Sequence, residues 1–203
     1  MLFRSETRIF PKGGLAVGIN TLSMAHDFIS RRVPAGGLCI DATMGRGRDT
    51  ALLCRLVGEQ GRVIAFDLQP EAVESTAALL EAEGLAARAE LHCCSHHRMA
   101  EFADPESVDC IVFNFGWLPG GRHDLFTLPE TSIPAIRAGL ELLKPGGIMS
   151  LCIYYGGRSG YGERDALLEF LPTLDNRRYT VVVSQFVNRD GDVPIPVFIL
   201  KEG

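Results

Sequence analysis

Asp41-Ala-Thr-Met-Gly45-Arg-Gly47-Arg-Asp49-Thr50 joins an apolar, strand-like run at 38–42 to a helical pattern ending at Val57, and the next apolar run, 62–66, stops at Asp67. Strand, glycine-bearing turn, helix and a second strand closed by a carboxylate make one βαβ unit, the building block of parallel sheets. Gly45 and Gly47 allow a sharp bend and a close approach of backbone to a bound group, while the N–H groups opening the helix point at an anion. Asp49 or Thr50 is suited to cap that helix.

Outward from this unit the alternation repeats. Strand-like runs recur at 88–92, 108–113 and 147–154, with helices expected from Pro70 through Glu83, from Glu130 to just before Lys144-Pro-Gly-Gly147, and near 162–172. Pro70 fits a first helical turn, where its missing N–H costs nothing. The chain closes with two β-rich runs, Tyr179–Val187 and Val197–Lys201, around Asn188-Arg-Asp-Gly-Asp192, which reads as an antiparallel hairpin. Five parallel strands and an antiparallel pair predict an α/β three-layer sandwich on a seven-stranded, mostly parallel, Rossmann-like sheet. That is the layout of class I methyltransferases, whereas a dinucleotide dehydrogenase repeats its parallel half. The domain is expected to span 20–203. Residues 1–19 lack periodicity and are expected to be an N-terminal extension, flexible or pairing as a strand with a neighbour in a homodimer.

At 203 residues, 46% hydrophobic and 22% charged, the composition is that of one globular domain. No apolar run reaches the roughly 18–20 residues that span a bilayer, and the first residues lack a signal-peptide layout, so a cytoplasmic protein without membrane contact is expected. The six cysteines form no C-x-x-C pair and read as buried thiols. A net charge of −5 and a pI near 5.5 argue against non-specific coating of nucleic acid, yet leave room for a local patch that meets a folded RNA.

The Gly45–Gly47 loop suits the methionine end of S-adenosyl-L-methionine. A dinucleotide fingerprint would place a third glycine where Thr50 stands and would not usually carry Asp41. Asp67, with Gln69 beside it, is placed to accept hydrogen bonds from both hydroxyls of a ribose. Ser95 and His96 follow the third strand near an expected adenine; a helix N-cap and a surface histidine are their ordinary alternatives. Cys93, Cys94, His96 and His97 crowd together, but neighbours on one strand point oppositely and no distant cluster completes a tetrahedron, so no metal is expected. The fourth strand ends in Asn114-Phe115-Gly-Trp117-Leu-Pro-Gly-Gly121, at the edge where open α/β sheets hold ligands. An amide oxygen there can accept an amine's hydrogens and aim its lone pair at a methyl group. Phe115 or Trp117 can stack on a base, with core packing the commoner fate of Phe115. Tyr154 and Tyr155 close the fifth strand at the same edge, and Arg122, His123 and Arg158 are candidate phosphate contacts or solvated loop charges.

These motifs, with Phe66-Asp-Leu-Gln69, Tyr154-Tyr-Gly156 and Phe186-Val-Asn188, resemble the putative rRNA methylase family from about residue 20 to the end. Members of that family with assigned activity are tRNA 5-aminomethyl-2-thiouridine methyltransferases. The resemblance implies a cofactor site of Asp41, Gly45, Arg46, Gly47, Asp49, Asp67, Gln69, Ser95, His96 and Asn114. It also implies Asn114 and Tyr154 at the reaction centre, and a substrate, the anticodon region of tRNA, met by Phe115, Trp117, Arg122, His123, Tyr155 and Arg158. The expected activity is methylation of the aminomethyl nitrogen on a modified wobble uridine. The alternatives are a small-molecule amine methyltransferase and a non-catalytic cofactor-binding regulator. Arg46, Arg48, Arg122-His123 and Gly157 stand where family members often carry other residues.

Overall fold

The computed structural model describes residues 18–116, 127–156 and 160–203. Five α-helices and seven strands alternate among them: α1 (Thr21–Ser30), β1 (Leu38–Asp41), α2 (Arg48–Val57), β2 (Arg62–Asp67), α3 (Pro70–Ala82), β3 (Ala89–Cys93), β4 (Val108–Phe115), α4 (Pro129–Leu142), β5 (Leu143–Ile153), α5 (Gly160–Phe170), β6 (Tyr179–Val183) and β7 (Ile195–Lys201). The strands form one sheet in the order β3-β2-β1-β4-β5-β7-β6. The first five run parallel, and β7 pairs antiparallel with both β5 and β6.

The sheet is apolar on both faces because both are covered. One face packs Ile40, Phe66, Phe113 and Leu151 against Ile136 and Leu140 of α4 and Leu167 of α5. The other packs Cys39, Val63, Cys110 and Val112 against Ala25 and Ile29 of α1, Leu53 and Val57 of α2 and Leu80 of α3. Cys39, Cys54, Cys110 and Cys152 are buried thiols in this second core, as expected, whereas Cys93 is exposed. Burying a Leu, Ile or Phe side chain is worth about 1.5–3 kcal/mol, so strands covered on both faces carry most of the sheet's stability.

Three local readings are corrected. The helix after the glycine loop starts at Arg48 and has Gly47, not Asp49 or Thr50, at its N-cap, with no side-chain cap; both expected cap side chains are spent on other partners. Strand β5 begins at Leu143, where it already pairs with Val108 across a bulge. Strand β6 stops at Val183 rather than Val187. Pro196 accepts from the Ser184 N–H at 3.0 Å but has no N–H to return, so the ladder ends there.

Helix α1 is held at both ends. Asn20 and Ser23 form a capping box, Thr21 Oγ1 donates to the Pro194 carbonyl at 2.6 Å, and Phe28 stacks on Phe198 of β7 at 4.2 Å. Among the described residues no helix is long and apolar enough to cross a membrane. The strand order reverses between β1 and β4, and the carboxyl ends of those two strands frame a crevice.

Candidate active site at the carboxyl edge of the sheet

The β1–α2 loop is braced from below and from the side. Asp41 has no exposed surface; its Oδ1 accepts from the Thr43 N–H (3.2 Å) and its Oδ2 from the Thr50 hydroxyl (2.7 Å). Burial, with added repulsion from Asp49, pushes its pKa up to about 7. Gly45 and Gly47 both adopt positive φ, 52° and 79°, which L-residues with a Cβ rarely accept. Gly47 also lies against α3: a Cβ there would be 2.9 Å from Thr76 Cγ2 and 3.0 Å from Thr76 Cα. Thr76 Oγ1 donates to the Gly45 carbonyl at 3.2 Å, and Arg46 is exposed between the two glycines.

Asp67, half-buried at the end of β2, takes the Gly45 N–H on Oδ2 and the Gln69 N–H on Oδ1, both at 3.0 Å. Loop and strand-end acid are therefore one unit, and Gln69 is buried at the start of α3. After β3, Ser95 precedes a short 3-10 turn without capping it; its hydroxyl meets His97 Nδ1 at 2.8 Å. His96 is 8% exposed, with Nδ1 3.2 Å from the Ala42 carbonyl. A carbonyl only accepts, so Nδ1 carries the proton and Nε2 is a bare acceptor. Nε2 is buried without a protein partner, and burial pushes the ring pKa down to about 4, so the ring stays neutral.

Asn114 lies half-buried near the end of β4, level with Cys152 of β5. Its N–H donates to Thr43 Oγ1 and its side-chain Nδ2 to Asp49 Oδ2, both at 2.7 Å. Asp49 Oδ1 in turn lies 2.6 Å from His26 Nε2. Phe115 is a correction: it is fully buried and stacks on Phe113 at 5.0 Å, because the strand's two-residue period turns both rings into the core. Tyr154 and Tyr155 diverge for the same reason. Tyr154 packs with the core beneath α1, and burial, with Cys152 and Asp49 nearby, pushes its hydroxyl up to about 12. Tyr155 packs towards the other core, with its ring 5.9 Å from Tyr161 and beneath the Arg164 guanidinium. Trp117, Arg122, His123 and Arg158 lie outside the described residues.

Four polar residues enter the site that sequence reasoning had not singled out. Thr43 is two residues from Asp41 and is readable as an Asx-type turn. Thr127 exchanges bonds with Gly116: its hydroxyl receives the Gly116 N–H (2.8 Å) and its own N–H donates to the Gly116 carbonyl (3.1 Å). Glu163, 3% exposed, accepts from Thr127 Oγ1 (2.6 Å) and Ser132 Oγ (2.5 Å), and burial raises its pKa. His26 comes from α1, 23 positions from its partner, and no local pattern announces it.

The residues present fit a nucleoside with a charged amino-acid tail: a loop bent by two positive-φ glycines at the start of a helix, a strand-end carboxylate, and a buried imidazole acceptor lacking a donor. Fold and site together define the class, a class I methyltransferase that uses S-adenosyl-L-methionine. Within it, the chain belongs to the family described as Putative rRNA methylase, whose model matches residues 63–200. It is 34% identical to the chloroplastic tRNA (mnm(5)s(2)U34)-methyltransferase of Arabidopsis thaliana, over 97% of this chain and 78% of that protein. A putative rRNA-methylase from Clostridium thermocellum superposes with a TM-score of 0.88 at 40% identity, over 91% of this chain and 99% of that one. A putative methyltransferase from Streptococcus mutans, solved in complex with SAH, superposes with a TM-score of 0.83 at 32% identity, over the same shares.

Proposed function

We propose that this enzyme methylates an amine nitrogen on tRNA, at the aminomethyl group of a modified wobble uridine in the anticodon region. The observation that carries the reading is the Asn114 amide. Its NH₂ is committed to a carboxylate that can only accept, so its oxygen is the group left for the hydrogens of an incoming amine. The activity in the name of the Arabidopsis relative supports a wobble uridine as the acceptor.

Gly45, Arg46 and Gly47 would hold the amino-acid end of the cofactor, Asp67 and Gln69 its ribose, and Ser95 and His96 the base. Asp41 and Asp49 brace that loop from within. When bound, S-adenosyl-L-methionine supplies a methyl group on a positively charged sulfur. The chain's own contribution is to hold a neutral amine in line with it. Tyr154, with its hydroxyl pushed up to about 12, keeps its proton at neutral pH, and His96, pushed down to about 4, is a weak base. Alignment by Asn114 is therefore the principal effect, and well-oriented reactants gain as much as about 7–11 kcal/mol over free encounter.

The net charge of −5 favours, as a second reading, a small-molecule amine acceptor. One experiment separates them: purified enzyme and labelled cofactor are given undermodified tRNA, and the nucleosides are resolved by mass spectrometry. A 14-dalton gain on the wobble nucleoside is expected, as one CH₂ requires. Label appearing only in small amines overturns the tRNA reading.

A further inference from the structure

Helix α1 brings a residue to the reaction centre from outside the ring of strand ends. The two oxygens of Asp49 are divided between partners: Oδ1 lies 2.6 Å from His26 Nε2, and Oδ2 receives Asn114 Nδ2 at 2.7 Å. The side chains of His26 and Asp49 are 32% and 12% exposed, so the pair is largely shielded, the carboxylate more than the imidazole. The imidazole donates from Nε2 either as its Nε2–H neutral tautomer or as the cation, so the bond does not depend on the ring's charge.

The consequence concerns which end of an amide faces the substrate. An asparagine amide is nearly symmetric in shape, and only its partners decide whether oxygen or NH₂ points a given way. Asp49 is the partner that decides here. A carboxylate held at one oxygen only is free to turn about its last torsion, which is broad and roughly two-fold. His26 removes that freedom by holding the second oxygen, and α1 is itself tied down through Thr21–Pro194 and Phe28–Phe198. Neither His26 nor Asp49 falls within the stretch matched by the family model, which begins at residue 63.

We propose that His26 is a positioning residue for methyl transfer: through Asp49 it sets the Asn114 amide with its oxygen towards the acceptor amine. The proposal rests on the reading of Asn114 as the group that orients that amine. It makes α1 part of the reaction centre, reached through one carboxylate.

The test compares His26→Gln, whose amide nitrogen can stand in for Nε2, with His26→Phe, which keeps a ring of similar reach but has no donor. Steady-state turnover of undermodified tRNA is measured at saturating cofactor, with Asn114→Ala alongside and cofactor affinity read by calorimetry. H26F is expected to lose about 10- to 100-fold in kcat, the worth of one hydrogen bond to a charged group, with KM for tRNA and cofactor affinity within about 2-fold. H26Q is expected to stay within about 3-fold of the parent enzyme on every measure, since it restores the same donor. Should H26F not fold, His26→Ala takes its place in the comparison. Full kcat in the donorless variant while N114A is inactive overturns the role of His26 alone. Equal loss in H26Q and the donorless variant also overturns it, because the ring and not its donor is then what matters. Full activity in N114A overturns the reading of Asn114 instead.

Discussion

Replacing Gly47 by alanine tests whether the cofactor loop owes its shape to contact with α3. The backbone there has φ of 79°, and a β-carbon would lie 2.9 Å from Thr76 Cγ2, 3.0 Å from Thr76 Cα and 3.0 Å from Thr76 Oγ1. Two costs add. An L-residue in the left-handed region costs about 1–2 kcal/mol, and forcing a methyl into a packed contact costs about 1–3 kcal/mol, so G47A should lose about 2–5 kcal/mol in urea unfolding with an unchanged m-value. The Thr76 side chain can rotate away, but its Cα cannot without moving α3, so cofactor affinity should fall with stability. Thr76→Ala alone removes the bond to the Gly45 carbonyl and should cost about 1 kcal/mol. In the double variant two of the three close atoms are gone, so its loss should undershoot the sum of the single losses by about 1 kcal/mol or more. Stability of G47A within about 0.5 kcal/mol of the parent, or strict additivity in the double variant, would refute the packing argument.

Other perturbations probe the remaining supports. Because Asp41 sits at about 7 when folded against 3.8 as a free side chain, the folded state binds more protons between those values. Its contribution is therefore fully present below about pH 4 and is lost as pH rises through about 7. Asp41→Asn should flatten that fall; unfolding curves at about pH 5 and about pH 8 check it, and an unchanged slope assigns the effect elsewhere. Asp67→Ala takes away the acceptor for the Gly45 and Gln69 N–H groups as well as for a ribose, and calorimetry should show cofactor binding weakened about 10- to 100-fold; wild-type affinity sinks its assignment. Glu163→Leu keeps the volume but strands the Thr127 and Ser132 hydroxyls, for a loss of about 1–3 kcal/mol in chemical unfolding. A neutral result there means that water or another acceptor replaces the carboxylate.

Most of the fold was legible because it is written in contiguous windows. Buried parallel strands are short apolar runs, the βα turn needs Gly45 and Gly47, and a carboxylate ending the second strand needs only Asp67, so the alternating order, the terminal antiparallel pair and the cofactor cleft followed from local patterning. Where local rules erred, a longer-range partner had intervened. Thr50 and Asp49 resemble N-caps but are engaged by Asp41 and by Asn114 with His26, and β6 is cut short by a proline on the neighbouring strand. The Asn114–Gly121 stretch pointed to an amine acceptor from sequence, yet it left open how that amide is oriented.

The sequence by itself determined which segments become strands and helices, which turn is open to a ligand, and which chemical groups stand at the strand ends, because each of these depends on neighbours a few residues away. Tertiary structure alone decided which face each strand-end ring takes, so that Phe115 enters the core. It alone joined His26 to Asp49 and Asn114, and Glu163 to Thr127 and Gly116. Those contacts span 11 to 65 positions along the chain. A hydrogen bond of about 3 Å between such distant residues leaves no periodicity to read; it exists only once the sheet and its covering helices have fixed where each backbone runs.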